Sequence, residues 1–351
     1  MLQETMKIAR FRGFQKGFVL EETGKPQVKN NEVLVRVKCC AVSGTDTYRY
    51  REYENPTVRP FLNGETPGHE IVGVVENIGK SVAQCDVGDR VVIQPFWGCG
   101  HCVACKAGRE NFCPDIKAFG FHVPGGFSEF LSVREDIVLK FNPHLSFEKA
   151  VPTHHIAVNL NGLKSSGVTF GSNTSVAVFG VGNLCILMVV IIKSMEVSEI
   201  YAIDIETSRL KLAKELSDSM TINAQDIDPA EVVLRETGGM GVDVSIELAG
   251  GSAPTINPAI RATKKGGTYI AIAVRNEKDT LNFLQILSKN LRVQGSATHT
   301  LREMEESLAM IEDGRVKTNR IITHRFPLEK INRAFECRLD DPKALYVVVD
   351  L

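Results

Sequence analysis

The feature that most constrains this chain is a short run near its middle. Ser175–Phe179, SVAVF, has the β-branched and apolar content of a buried strand, and it passes directly into Gly180-Val-Gly182-Asn-Leu-Cys185. An apolar helical stretch follows to about Met195, and a second strand, EIYAID, ends on Asp204. A strand, a glycine turn, a helix and a strand ending in an acid form the unit that binds a dinucleotide. The first glycine permits the tight turn. The second lets the backbone approach a pyrophosphate, which the amide groups and positive dipole end of the helix then attract. The third position of the fingerprint, which serves close helix–strand packing, is Cys185 here, a small residue. The candidate cofactor residues are Gly180, Gly182, Asn183 and Leu184, with Asp204 for the ribose hydroxyls and Arg209 beyond it. A carboxylate at 204 repels a 2′-phosphate, so NAD is expected over NADP.

From about Val151 onward, strands alternate with helical patterns (SVAVFG, EIYAID, VDVSIELAG, GTYIAIAV), which predicts a doubly wound parallel sheet. Before that point the chain reads as short β segments broken by glycine, such as NNEVLVRVKCCAV, EIVGVVENIG and GDRVVIQPF, which predicts a partly closed β-barrel with long loops. The tail, from roughly Val293, holds a helix (LREMEESLAMIEDG) and a closing strand (ALYVVVDL) that can return to the first domain. The expected division is therefore 1–152 with 293–351 as one domain and 153–292 as the other. The length of 351 residues suits two domains.

With 41 basic and 42 acidic residues, the chain has no global attraction to nucleic acid or to anionic membranes. Its first residues lack the long apolar core of a signal peptide. The stretch from Val176 to Ile192 approaches membrane-spanning length, but Gly180, Gly182 and Asn183 interrupt it, so a buried strand, turn and helix are expected.

Nine cysteines are present, and Cys99, Cys102, Cys105 and Cys113 crowd into GCGHCVACKAGRENFCP with the spacing C-x2-C-x2-C-x7-C. Four thiolates in one glycine-containing loop suit tetrahedral zinc, and a closed sulfur shell makes that metal structural. An iron–sulfur cluster uses the same ligands and stands as the alternative. The crowding argues for metal over disulfides, and hence for a reducing, cytoplasmic setting. His101 and His122 nearby are read as bystanders.

The chain resembles the zinc-containing medium-chain alcohol and polyol dehydrogenases over nearly its whole length. The likeness is carried by SGTD (Ser43 to Asp46), GETPGHEIVGVVENIG (Gly64 to Gly79), VGDRVVI (Val87 to Ile93), the four-cysteine loop, GGFSEFLSV (Gly125 to Val133), the glycine turn and ITHRFPLEKINRAFE (Ile321 to Glu336). The resemblance implies a GroES-like catalytic domain, a Rossmann domain, a cleft between them, and homodimers or homotetramers joined through the nucleotide domains. GGFSEF is similar to members acting on polyols, sugar acids and amino-alcohols. The family holds a second, catalytic zinc with a Cys in CGTD, the His of GHE, and a Cys or Glu near the domain boundary. Here those positions are Ser43, His69 followed by Glu70, and His154 within AVPTHHIAVNLNGL. The implied ligand set is Ser43, His69, Glu70 and His154, with the serine a poor ligand beside a thiolate, Cys40 displaced along the chain, and Asp46 behind the ligands. Thr45 matches the hydroxyl that passes the substrate proton onward in relatives, and Tyr48 extends that relay. Two other readings follow from the changed positions: a reductase working without the second metal, and a non-catalytic NAD-binding paralogue.

Overall fold

The computed structural model describes residues 4–51, 59–251, 253–275 and 280–351, and its two compact units are 1–154 with 300–351, and 155–299. Residues 52–58, between Tyr48 and Phe61, thus lie outside the described residues.

In the first unit the strand Glu32–Ala41 is the centre of a mostly antiparallel sheet. It pairs with Glu70–Ile78 on one side and with the closing strand Tyr346–Asp350 on the other, while Phe130–Arg134 pairs with its first half. Arg90–Ile93 and Val138–Lys140 continue the sheet beyond Glu70–Ile78. Period-two alternation sends Val33, Val35 and Val37 into one core with Ile71, Val75, Phe127, Phe335, Val347 and Val349. A separate hairpin, Thr5–Phe11 with Phe18–Gly24, adds Phe11 and Phe18 to it. The central strand is therefore paired, across the whole length of the chain, with its last residues.

The second unit is an all-parallel sheet. Its strand order across the sheet is Met220–Asn223, Glu199–Asp204, Ser175–Phe179, Val242–Glu247, Thr263–Ala271 and Arg292–Gly295. That is the doubly wound order, with the glycine turn at the end of the strand beside which the order reverses. Arg292–Gly295 pairs with Thr268–Ala271, and this unit continues to His299.

The apolar stretch that approaches membrane length is a buried strand and the helix Asn183–Ser194, whose residues Cys185 to Ile192 are all buried. Among the described residues no helix is long and apolar enough to cross a membrane.

Candidate active site

The SGTD segment opens a short helix, Gly44–Tyr50, with Ser43 as its N-cap. The Ser43 hydroxyl accepts from the Asp46 amide at 3.0 Å and donates to Asp46 Oδ2 at 2.9 Å, and the same oxygen accepts from the Ser43 amide at 3.1 Å. This is a reciprocal cap. It engages the hydroxyl as both donor and acceptor, so in this arrangement Ser43 serves as a helix cap. Thr45 and Tyr48, three apart on this helix and half-buried, lie on one helix face.

Asp46 is fully buried, and its second oxygen, Oδ1, has no hydrogen-bond partner. It lies 3.8 Å from His69 Nδ1, another buried atom without a hydrogen-bond partner. His69 is 7% exposed, and burial holds its imidazole below the ordinary histidine range, with the Asp46 charge opposing. A neutral imidazole with a carboxylate behind Nδ1 keeps Nε2 available as a ligand atom. The His154 ring stands beside it, with centroids 5.5 Å apart and planes at 88°. Two perpendicular imidazoles at that separation suit one cation.

Glu70 is placed differently. It starts the strand Glu70–Ile78 and is 1% exposed. Burial raises its carboxyl to about 8, and the Tyr346 hydroxyl donates to Oε2. Two clusters among the described residues bring three or more Cys, His or carboxylate ligand atoms within 4.8 Å of one another, and His69, Glu70 and His154 do not form a third. The two imidazoles, with Asp46 behind His69, suit part of a divalent-metal site, whereas Glu70, engaged by Tyr346, does not complete the set as it stands. Cys40 is buried with its thiol pushed far up by desolvation, and it donates to the neighbouring Ala41 carbonyl at 3.8 Å.

Tyr346 and Arg49 carry no signal in the sequence. Tyr346 reaches Glu70 only because the closing strand lies beside Glu32–Ala41, whose Ala41 in turn faces Glu70. Arg49, one helical turn after Asp46, is fully buried between the Phe61 and Phe121 rings and donates to the Gly120 carbonyl and the Glu65 carboxylate, both at 2.5 Å.

The four loop cysteines converge, with all Sγ atoms within 4.8 Å. Backbone amides donate to three of them: Cys102 to Cys99 Sγ at 3.4 Å, Cys105 to Cys102 Sγ at 3.4 Å, and Cys99 to Cys113 Sγ at 3.2 Å. Amide donors aimed at sulfur, those of His101 and then Cys102, draw the Cys99 thiol down to about 6, while burial and the neighbouring thiols push Cys105 up to about 12. The donor set fits tetrahedral zinc. His101 Nδ1 lies 2.9 Å from the Cys99 carbonyl oxygen, and His122 Nδ1 accepts from the Ala118 amide at 3.0 Å, so both rings are engaged with backbone.

In the second unit, Gly180 has a φ of +95°, and a Cβ there would lie 2.7 Å from Ala249 Cα. Only glycine serves on both counts. Gly182 has an ordinary negative φ of −74° and nothing within 4 Å of an added Cβ. The protein itself therefore does not demand glycine at 182, and the open space suits a phosphate approaching the helix N-terminus at Asn183 and Leu184. Asp204 ends its strand as expected. Oδ2 accepts from the Val181 amide at 2.6 Å and Oδ1 from the Glu206 amide at 2.8 Å, and each oxygen keeps a further lone pair. Arg209 Nε is buried without a hydrogen-bond partner. Cys185 takes the third glycine's place with its thiol 3.3 Å from the Leu248 carbonyl.

Residues 29–143 match the alcohol dehydrogenase GroES-like domain and residues 180–313 the zinc-binding dehydrogenase domain. The chain belongs to the zinc-type medium-chain alcohol dehydrogenase family. It is 32% identical to an alcohol dehydrogenase of Geobacillus stearothermophilus over 94% of this chain and 95% of that one. It is 28% identical to a sorbitol dehydrogenase of Bacillus subtilis (strain 168), covering 90% of this chain and 89% of that one. A solved zinc-binding dehydrogenase of Sinorhizobium meliloti 1021, bound to NADP, superposes with a TM-score of 0.90 at 26% identity, covering 99% of this chain and 100% of that one.

Proposed function

We propose that this chain is an NAD-dependent, zinc-requiring dehydrogenase that interconverts a secondary alcohol and its ketone, with a polyol, sugar acid or similar hydroxylated metabolite as substrate. The observation that carries this reading is the pair of imidazoles, His69 and His154, backed by the buried Asp46 carboxylate, in a chain of this family. His69 and His154 would hold the catalytic zinc, with Glu70 as third ligand once it gives up its proton. When bound there, zinc supplies Lewis-acid chemistry that eases loss of the substrate's hydroxyl proton. Asp46 orients His69. Thr45 and Tyr48 carry the proton outward along one helix face. Cys99, Cys102, Cys105 and Cys113 hold a separate, structural zinc.

On the cofactor side, Gly180 and Gly182 admit the pyrophosphate, the amides of Asn183 and Leu184 receive it, and Asp204 takes the ribose hydroxyls. The Asp204 charge disfavours a 2′-phosphate, which supports NAD despite the NADP found on the Sinorhizobium relative. Arg209 lies on the same side and contacts the cofactor's adenosine half. The alcohol and sorbitol dehydrogenases among the relatives support the substrate class.

We also propose self-association through the second unit, as a homodimer or homotetramer. Arg292–Gly295 is the sheet's edge strand, with Val293 exposed, and the adjoining helix Phe283–Ser288 exposes Phe283, Leu284 and Leu287. An apolar edge of this kind calls for a cover. No nucleic acid or membrane partner is invoked, and nine unpaired cysteines suit the reducing cytoplasm.

The test is turnover of a polyol and sugar-acid panel with NAD or NADP, for the zinc-loaded chain and for His69→Ala. Oxidation with NAD by the parent, lost at least 100-fold in His69→Ala while NAD affinity changes less than about two-fold, is the expected result. Undiminished turnover in His69→Ala would refute metal-assisted chemistry at that residue.

A further inference from the structure

The second convergent cluster uses none of the side chains assigned above to the metal, proton-relay or cofactor sites. It consists of His324 on the strand Ile322–Pro327, Cys337 near the end of the helix Ile331–Asp340, and Asp341 at that helix's C-cap. Their ligand atoms lie within 4.8 Å of one another, and all three side chains are partly exposed. Cys337 and Asp341 are one helical turn apart, and the Asp341 amide still donates to the Cys337 carbonyl at 3.0 Å, so the turn that presents both is closed.

The contacts around His324 orient its ring. The Thr323 hydroxyl lies 3.4 Å from the Tyr346 carbonyl and accepts from the Leu345 amide at 3.0 Å. It also lies 3.0 Å from His324 Nδ1 and holds that edge of the ring. In the tautomer protonated at Nδ1, Nε2 presents a lone pair for a metal. Nε2 faces Asp341 Oδ2 at 3.5 Å. The other carboxylate oxygen, Oδ1, is held by the Lys343 amide at 2.8 Å. Two Lewis bases, each oriented by a hydrogen bond on its far side, thus point at one place with a thiol beside it. Oriented ligands of this kind characterise metal sites. Tetrahedral zinc with Zn–N and Zn–O bonds of about 2.1 Å separates N and O by roughly 3.4 Å, close to the spacing found.

We infer that His324, Cys337 and Asp341 form a third zinc site, separate from the four-cysteine loop and from His69 and His154, with water as fourth ligand. A thiolate, an imidazole and one carboxylate select zinc over magnesium or calcium, which prefer all-oxygen shells. Zinc there ties the strand Ile322–Pro327 to the last turn of the helix that packs Phe335 into the core. Binding releases the Cys337 proton, which burial otherwise retains.

The experiment is equilibrium dialysis of the full chain against Zn2+ with metal counted per chain, for the parent, His324→Ala, Cys337→Ser and Cys102→Ser. Each of the first two variants should bind one zinc fewer than the parent, keep parent-like circular dichroism, and retain polyol turnover. Cys102→Ser removes a different equivalent, so its loss adds to that of Cys337→Ser. With Co2+ in place of zinc, the parent-minus-Cys337→Ser spectrum should show a thiolate-to-cobalt charge-transfer band, and excess Mg2+ should not abolish it. Equal zinc counts in parent, His324→Ala and Cys337→Ser, with no difference band, would overturn the site and leave His324 and Asp341 as an ordinary ion pair.

Discussion

At the scale of single residues, Glu70 shows how position overrides identity. Its carboxyl is buried against a tyrosine hydroxyl and raised to about 8, far above the usual carboxylate range. In the folded, metal-free chain Glu70 keeps a proton that the unfolded chain releases near pH 4.5. Between about 4.5 and about 8 the folded state therefore binds more protons, and stability falls as pH rises through that window. Glu70→Gln keeps the hydrogen-bonding shape and removes the linkage. Denaturant unfolding of the metal-free proteins should give parallel stabilities near pH 4.5 and a relative advantage for Glu70→Gln of on the order of 5 kcal/mol above pH 8. A pH-independent difference between the two would contradict the assignment. None of this is visible in GHE as a motif, because Tyr346 is brought to Glu70 by sheet pairing and not by sequence proximity.

At the scale of elements, what was legible in the sequence was local. The glycine turn, the strand ending on Asp204 and the four-cysteine loop all have their partners within a few dozen residues, so spacing alone conveys geometry. The SGTD segment was legible as a motif but not as a mechanism. Placing Ser43 among the ligands followed from the family pattern, whereas the structure uses its hydroxyl to start a helix. Ser43→Ala should cost about 1 kcal/mol of stability, the usual value of a lost cap, and leave the number of zincs per chain unchanged. Loss of a zinc equivalent in that variant would restore Ser43 to the ligand shell. Where the parallel unit ends is not legible locally, because a short, largely exposed strand such as RVQG cannot be assigned to a sheet from its own composition. Arg292–Gly295 joins the parallel sheet through pairing with Thr268–Ala271.

At the scale of the whole molecule, the account rests on two units of different design, an antiparallel sheet that carries His69 and a parallel one that carries the glycine turn. Self-association through the exposed edge predicts that Leu287→Asp, which places a charge among Phe283, Leu284 and Val293, lowers the mass measured by light scattering to that of one chain. An unchanged oligomer would place the interface elsewhere. The most direct measurement of the central claim follows the hydrogen itself. Polyols and sugar acids deuterated at their secondary carbinol carbons are incubated with the zinc-loaded chain and NAD, and the reduced nucleotide is analysed by mass spectrometry. The account predicts one deuterium in the NADH formed, transferred to the nicotinamide ring, with a ketone as the other product. NADH formed without label, or no turnover of any such alcohol by a chain that binds NAD, would contradict it.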